Sequence, residues 1–432
     1  MTRLVILAAA VLGLASPCFP KENAEVKERD GYVKRECLNL SDLKDFTPAA
    51  EVKLSQYGGW MEKKEKATGF FHAAKLDGQW WVIDPEGYVF LCVGVNSVVP
   101  ASEDAAANPS PADLEWGEQT LAKLREHGFN MLGCWSATDL VRKLSKPMPY
   151  CLRWNIMAVY RKQRAAKYPE TGKVEAIYPF DPEFEAFCDQ VAKGMDETKD
   201  DPWLLGHFSD NELPFHEGGI VERYLSHPQN DPCHEAAEKF MASRKNRKPE
   251  KDDDREFLHL VVSEYYRKVS DALHKHDPNH MYIGSRFHGL ALNSPALFSG
   301  AGRYADIISV NYYHRWTPEH DLIQDWAKRA GKPILITEWY AKAADSGLPI
   351  EKGGAGFPVK SQSDRAKFYQ HFTLGLLKNP GCVGWHWFKY RDSAENNPGM
   401  VNGKDEPYTV LWNAAKEINT QVYPLAKFLR KD

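Results

Sequence analysis

Two glutamates, Glu212 and Glu338, each close a run of apolar residues that predicts a β-strand. In a parallel α/β barrel the carboxyl ends of all strands open onto one face, where the loops hold the chemistry. Two carboxylates on that face are the minimum for cleaving a glycosidic bond, because one protonates the leaving oxygen and the other attacks or activates water. The pair therefore predicts a glycoside hydrolase. The alternative is that one or both are ion-paired surface carboxylates.

Other residues at the predicted strand ends are candidates for sugar binding. Asn211 directly precedes Glu212, so its amide could bond a sugar hydroxyl beside the cleaved bond. The remaining candidates are Asn96, Trp135, His314, Trp385 and Trp387. Side chains alternate along a strand, so Trp385 and Trp387 share one face. We expect at least one of them to stack under a sugar ring; core packing is the alternative for the tryptophans, and a structural role is the alternative for the histidine.

The chain alternates strand-like and helix-like segments, the pattern of βα units. The predicted strands span residues 89–98, 129–135, 150–158, 204–212, 281–287, 306–313, 333–339 and 382–388. The predicted helices span residues 115–127, 182–199, 257–276, 318–330, 364–379 and 411–429. Eight strands with interleaved helices predict the α/β class and a single (β/α)₈ TIM barrel, enlarged by insertions.

Segments outside the βα pattern complete the predicted organisation. Residues 1–15 have a basic start and a short apolar run, which predicts a signal peptide, with a buried N-terminal helix as the alternative. Residues 16–69 are expected to pack on the barrel as an N-terminal extension, and residues 70–432 to form the catalytic domain, opening with a hairpin. Insertions at 214–255 and 340–363 follow strands 4 and 7, so either could shape a substrate cleft or simply be solvated surface.

Composition limits the partners. The net charge of -4 gives no electrostatic reason to expect nucleic acid or an anionic membrane. Eight cysteines without a CxxC pair or zinc-like spacing predict no metal site, and no cofactor is expected. The leader predicts a secreted or periplasmic protein without membrane insertion, and the sequence leaves the oligomeric state open.

Two motifs resemble the signature of the clan A retaining glycosidases. These are Asn211-Glu212 after strand 4 and Glu338 after strand 7. The resemblance implies that Glu212 is the acid/base and Glu338 the nucleophile. Residues 311–313 resemble the sixth strand of the clan, which implies that Tyr313 supports the nucleophile; a tyrosine packed at the strand end is the alternative. Many clan members carry an arginine near the end of strand 2, and residues 133–136 hold none. Arg286 on strand 5 is the candidate to serve the site instead.

Within the clan, the chain most resembles β-agarases and relatives acting on algal galactans. Residues 80–87, 208–213, 284–287 and 384–388 carry this likeness. It implies a retaining enzyme that hydrolyses a galactan-type polysaccharide, such as agarose or porphyran, or its oligosaccharides by double displacement. One alternative is the same machinery on another β-linked glycan, such as a mannan or glucan. Others are a catalytically silent carbohydrate-binding barrel and a metal-dependent hydrolase, for which His207 and Asp210 are scattered candidate ligands.

Overall fold

The computed structural model describes residues 22–101, 108–168, 176–244, 248–350 and 354–430. The predicted signal peptide lies outside these ranges. The strands are β1 Glu22–Glu28, β2 Gly31–Cys37, β3 Trp60–Lys64, β4 His72–Leu76, β5 Gln79–Ile83, β6 Tyr88–Phe90, β7 Cys92–Val95, β8 Met131–Leu132, β9 Tyr150–Arg153, β10 Leu204–Phe208, β11 Met281–Tyr282, β12 Ile308–Asn311, β13 Ile334–Glu338, β14 Ala341–Ala343, β15 Phe357–Val359 and β16 Cys382–Trp387.

The helices alternate with these strands over most of the chain. They are α1 Pro111–Glu126, α2 Thr138–Val141, α3 Ile156–Lys167, α4 Phe184–Ala192, α5 Ile220–Leu225, α6 Pro232–Ala242, α7 Lys251–His276, α8 Pro295–Gly302, α9 His320–Ala330, α10 Gln362–Leu377, α11 Thr409–Asn419 and α12 Val422–Leu429. The sequence missed α3, whose start falls inside the predicted strand 150–158. It also joined α11 and α12 into one helix.

The central element is an eight-stranded sheet of parallel strands, in the order β11-β10-β9-β8-β7-β16-β13-β12. Every residue of β10, β13 and β16 is buried, as expected for parallel strands covered by helices. One face of the sheet packs against the helices in the larger hydrophobic cluster. Residues of the other face, drawn from all eight strands or the residue next to them, pack on one another, so the sheet is strongly curved.

The prediction of a single (β/α)₈ barrel is wrong, although the α/β class holds. No ladder joins the edge strands β11 and β12 in the described ranges: an isolated bridge between Phe287 and Val310 and a bond from the N–H of Asp306 to the carbonyl of Tyr282 link the two segments. The other eight strands form two separate four-stranded sheets. The fifth strand stops at Tyr282 because Gly284 and Arg286 take left-handed backbone conformations, with φ of 83° and 57°, that interrupt the ladder.

The two smaller sheets lie at different places around the central sheet. The first has the order β14-β15-β1-β2, so the N-terminal hairpin β1–β2 pairs with a strand from the segment that follows Glu338. The second has the order β3-β6-β5-β4 and contains the predicted hairpin, with Asp77-Gly78 at its turn. The N–H of Trp80 in this hairpin donates to the carbonyl of Pro380, just before β16. The division into a 16–69 extension and a 70–432 domain stays a prediction.

Among the residues that the structure describes, no helix combines the length and the apolar character needed to cross a bilayer.

Candidate active site

Left-handed residues mark the carboxyl ends of the central strands. Of the eight non-glycine residues with positive φ in the described ranges, six follow strands of the parallel sheet: Ser97, Trp135, Asn155, Glu212, Arg286 and His314. A left-handed residue costs roughly 1–3 kcal/mol and persists only where the surroundings enforce it, which occurs most often at functional sites. The strand ends are therefore the place to look for chemistry.

A pocket of about 560 Å³ opens at these strand ends. Four predicted site residues line it: Glu212, Tyr313, His314 and Glu338. The other lining residues come from the loop after β11, the segment after β12, helix α9, the segment after β13 and the residue after β16: His288, Gly289, Leu290, Leu292, Asn293, Tyr312, Arg315, Leu322, Trp326, Tyr340, Gly354, Ala355 and Phe388. The volume lies within the usual range for small-molecule sites, about 300–1,000 Å³.

Glu338 is held at both carboxylate oxygens. The hydroxyl of Tyr313 donates to Oε2 at 2.6 Å, and Nη2 of Arg286 donates to Oε1. Glu338 is 5% exposed and Arg286 is fully buried, so the carboxylate and the guanidinium form a buried ion pair. Burial and the adjacent Glu338 raise the pKa of Tyr313 well above its ordinary value, so the phenol keeps its proton and remains a donor.

Glu212 is held at one oxygen by an amide. Nδ2 of Asn311 donates to Oε1 of Glu212 at 2.8 Å, and the hydroxyl of Thr337 donates to Oδ1 of the same Asn311 at 2.8 Å. Glu212 is half-buried, whereas Asn311 is fully buried. Asn311 ends β12 and Tyr313 follows two residues later, so one stretch of chain supports both glutamates.

Arg286 also orients Asn211. Its Nε donates to Oδ1 of Asn211 at 2.7 Å while Nη2 reaches Glu338. Because the carbonyl side of the Asn211 amide faces Arg286, its N–H groups, which have no acceptor among the described residues, are available to a ligand. The guanidinium thus links the two strand ends that carry the glutamates.

Asn96 lies behind the pocket rather than on its surface. It is fully buried, and its Nδ2 donates to the carbonyl of Thr337 at 2.8 Å, so it holds the strand that carries Glu338. Gly133 makes room for it: a Cβ there would lie 2.2 Å from Oδ1 of Asn96 and 2.9 Å from Nδ1 of His386. Burial lowers the pKa of His386 to about 3, which keeps this interior imidazole neutral.

The predicted tryptophans fall into two environments. Trp135 is 36% exposed, and the guanidinium carbons of Arg286 and Arg153 lie 4.7 and 4.9 Å from its ring centroid. Trp385 and Trp387 share one face as predicted, but that face is buried in the helix layer, where the indole N–H of Trp387 donates to the carbonyl of Pro398. Neither ring presents a free face to the pocket, so core packing describes both.

Four tyrosine, tryptophan or phenylalanine residues of the pocket were not predicted from the sequence: Tyr312, Trp326, Tyr340 and Phe388. Tyr340 lies two residues after Glu338, and Phe388 is the residue directly after β16. Their position immediately beyond a strand end was the available signal. Of the two predicted insertions, residues 340–363 supply Tyr340 and the backbone of Gly354 and Ala355 to the pocket wall. The described part of 214–255 supplies none of the lining residues.

His207, Asp277 and His280 form a buried group whose ligating atoms lie within 4.8 Å of one another. The indole N–H of Trp154 donates to Nδ1 of His207 at 3.0 Å, so this histidine carries its proton on Nε2, directed at Asp277 at 2.7 Å. If Nε2 bound a metal, the imidazole would carry its proton on Nδ1 instead, where it would face the indole N–H of Trp154, which is also a donor. Although burial opposes it, hydrogen bonds from His207 and His280 hold the pKa of Asp277 below its ordinary value. Hydrogen bonding therefore accounts for the group.

Several known proteins are similar to this chain in sequence and fold. No protein-family model matches the chain. It is 27% identical to β-agarase B of Vibrio sp. (strain JT0107), over 94% of this chain and 53% of that protein. It is 25% identical to β-agarase A of the same strain, over 90% of this chain and 50% of that protein. The chain thus spans about half the length of these curated relatives. The solved structure of BpGH50 superposes with a TM-score of 0.87 and 29% identity, covering 96% of this chain and 98% of that one.

Proposed function

We propose that this protein is a retaining glycoside hydrolase that cleaves β-glycosidic bonds in an agarose-like galactan or in its oligosaccharides. The observation that carries the proposal is that Glu212 and Glu338 line one pocket, each with its own hydrogen-bond donors. The similarity to β-agarases supports the galactan as substrate class.

Glu338 is the nucleophile in the proposed mechanism. Its carboxylate attacks the anomeric carbon of the sugar, while Glu212 gives its proton to the glycosidic oxygen and the C–O bond breaks. Arg286 and Tyr313 fix the attacking carboxylate in place, and a fixed geometry removes much of the entropic barrier to attack. The product of this step is a glycosyl ester on Glu338.

Water resolves the glycosyl ester in the second step. Glu212, now a carboxylate, takes a proton from water as the water oxygen bonds the anomeric carbon and the ester bond to Glu338 breaks. Two displacements at one carbon restore its configuration. No cofactor takes part in either proposed step, and the signal peptide predicted for residues 1–15 supports export to where polysaccharide is found.

The sugar is expected to contact groups on both sides of the two glutamates. Asn211 offers amide N–H groups, and Tyr340, Phe388 and Trp135 offer aromatic rings near the pocket. Aromatic faces suit the C–H surfaces of sugar rings, and polar groups set the orientation.

Product analysis tests the proposal. Purified protein is incubated with agarose, porphyran, carrageenan and a β-mannan, beside Glu338→Gln and the matched surface variant Glu238→Gln on α6. We expect galactan oligosaccharides from wild type and Glu238→Gln and none from Glu338→Gln. Products from the mannan alone would overturn the substrate class, and full activity of Glu338→Gln would overturn the nucleophile.

The stereochemistry is tested by proton NMR of the first products formed. Retention predicts that the β-anomer appears first and then mutarotates. An α-anomer appearing first would show inversion and overturn double displacement. Repeating the assay with a chelator tests the metal-dependent alternative, because that chemistry would stop.

A further inference from the structure

The amide of Asn311 lies between the two glutamate-bearing strand ends. It is fully buried, accepts a hydrogen bond from the Thr337 hydroxyl and donates one to Oε1 of Glu212. Its Nδ2 also lies 3.4 Å from Oδ1 of Asn211. The role inferred for Asn311 rests on the proposed function, in which Glu212 is the acid/base.

The orientation of this amide is set by its neighbours. If the amide were turned over, Oδ1 of Asn311 would face Oε1 of Glu212 and the side-chain Oδ1 of Asn211, which are both acceptors. Oδ1 of Asn211 already accepts from Nε of Arg286, so it cannot turn without losing that bond. The N–H side of Asn311 therefore faces Glu212, and the Thr337 hydroxyl satisfies the carbonyl side.

An amide N–H on one carboxylate oxygen decides where a proton can sit. Oε1 of Glu212 accepts a hydrogen bond from Nδ2 of Asn311. A proton on Oε1 that pointed toward Asn311 would therefore face another donor. The other oxygen, Oε2, has no such donor among the described residues. We propose that Asn311 is a positioning residue that makes Oε2 the oxygen of Glu212 that carries the catalytic proton, and that Thr337 fixes Asn311 in the orientation this requires.

The proton then takes a defined route. In the first step the Oε2–H bond breaks and the proton goes to the glycosidic oxygen, whose bond to the anomeric carbon breaks as Glu338 bonds that carbon. In the second step a water proton goes to Oε2, the water oxygen bonds the anomeric carbon, and the ester bond to Glu338 breaks. Oε1 remains an acceptor for Asn311 in both steps.

Thr337 ties this arrangement to the nucleophile. It directly precedes Glu338 in β13, and its carbonyl accepts from Asn96. A shift of β13 that moved Glu338 would also move the hydroxyl that orients Asn311. The two carboxylates are therefore positioned by one connected set of hydrogen bonds rather than by separate supports.

The variant Asn311→Asp tests the proposal because it replaces the N–H donor by a carboxylate oxygen of nearly the same shape. A like charge beside Glu212 favours the protonated carboxyl, so the proton should be lost at higher pH. The measurement is a ¹³C NMR titration of the Glu212 carboxyl carbon, assigned by its loss from Glu212→Gln. We expect the titration midpoint to move up by about one pH unit or more. The basic limb of kcat/KM should move with it.

Two further variants separate positioning from folding. Gln324→Glu on the exposed face of α9 adds the same charge elsewhere and should leave the titration unchanged. Thr337→Val removes only the orienting hydroxyl and should lower kcat about two- to tenfold on oligosaccharides. The kcat on a synthetic glycoside with a good leaving group should fall less, because that group needs little help from an acid to depart.

The outcomes distinguish this inference from the proposed function. An unchanged Glu212 midpoint in folded Asn311→Asp, shown by an unaltered thermal unfolding profile, would overturn the inference whether or not the enzyme turns over. If Asn311→Asp does not fold, the leaving-group comparison in Thr337→Val decides: equal losses on both substrates would overturn the role. Absence of any cleavage by wild type would instead overturn the proposed function.

Discussion

The two glutamates sit at equivalent strand ends but in opposite surroundings. Glu338 is almost fully buried and receives a guanidinium and a phenol on its two oxygens. Glu212 is half-buried, takes a left-handed backbone conformation with φ of 54°, and receives a single amide on one oxygen. The carboxylate of Glu338 thus has two donors, one of them a cation, whereas the carboxyl group of Glu212 has one neutral donor.

This difference matches the different demands of the two proposed roles. A nucleophile must stay charged and still, and a buried carboxylate does so only when paired and hydrogen-bonded. An acid/base must gain and lose a proton in every cycle, so a cation or a second donor on it would obstruct the transfer. The contrast in hydrogen bonding therefore supports the proposed roles independently of motif order.

The strongest test of this contrast between the glutamates replaces each of them in turn by glutamine. Glu338→Gln should lower kcat on the order of 10⁴-fold or more on every substrate, because no other group can form the glycosyl ester. Glu212→Gln should be as inactive on oligosaccharides, but should cleave a glycoside with a strongly acidic leaving group much faster, since that group departs unprotonated. The measurement is kcat for both variants on both substrate types.

A reversed pattern would exchange the assigned roles. If Glu338→Gln were the variant rescued by the better leaving group, Glu338 would be the acid/base and the interpretation of its surroundings would fail. Equal loss in both variants on both substrates would remove the distinction altogether. Glu238→Gln serves again as the matched control.

Arg286→Lys should give the next largest effect. Lysine keeps the positive charge but not the planar fork, so it cannot bond Glu338 and Asn211 together as Arg286 does. We expect kcat to fall about 10²- to 10³-fold, the usual cost of losing a preorganised donor. Arg430→Lys is the control, since Arg430 is also a buried arginine but donates to the backbone carbonyls of Leu377 and Cys382. A similar fall in both variants would mean that only folding is affected.

Much of the arrangement around the glutamates can be predicted from local sequence, and some of it cannot. The apolar runs before Glu212 and Glu338 specify strands, and strand direction brings their ends to one edge of the sheet. Alternation also places Trp385 and Trp387 on one face. Which face depends on the register of β16 beside β7, where Trp385 pairs with Val93, and on Gly384 with φ of 143°. The local sequence pattern does not predict this register, because it depends on a strand that is distant in the sequence.

The failure of the single-barrel prediction has a similar cause. Residues 281–287 have the pattern of one strand, but Gly284 and Arg286 adopt positive φ after Tyr282. Glycine permits this conformation, whereas Arg286 is held in it by tertiary partners: Ser309 on its backbone N–H, and Glu338 and Asn211 on its side chain. Arg286, one of the two residues that interrupt the ladder, thus also belongs to the candidate site, and periodicity cannot reveal this.

Asp210 lies two residues before Glu212 and holds this segment in place through buried hydrogen bonds. Its carboxylate accepts the N–H groups of Met157 and Ala158 at the start of α3, each at 3.0 Å, and the hydroxyl of Tyr265 at 2.5 Å. Burial raises the pKa of Asp210 from 3.8 to about 6. The folded protein therefore binds this proton more tightly than the unfolded chain does.

The sign of the pH effect is fixed by that shift. The contribution of Asp210 to the free energy of unfolding is fully present below pH 3.8 and is lost as the pH rises through about 6. We expect wild type to lose about 2 kcal/mol relative to Asp210→Asn between pH 4 and pH 7. Urea unfolding of both proteins across this range measures it. Parallel stability curves would show that Asp210 does not titrate in this window.

The smallest expected effect concerns the second donor on Glu338. Tyr313→Phe removes one hydrogen bond to a charged group, which is worth about 1.5–3 kcal/mol, and leaves Arg286 in place. If that bond acts mainly in the transition state, kcat should fall about 10- to 100-fold with little change in KM. Tyr224→Phe on α5, which removes a buried tyrosine bond to the carbonyl of Ile177, controls for stability. A KM change without a kcat change in Tyr313→Phe would mean that Tyr313 binds the sugar rather than the nucleophile. The contrast between the glutamates would then rest on Arg286 alone.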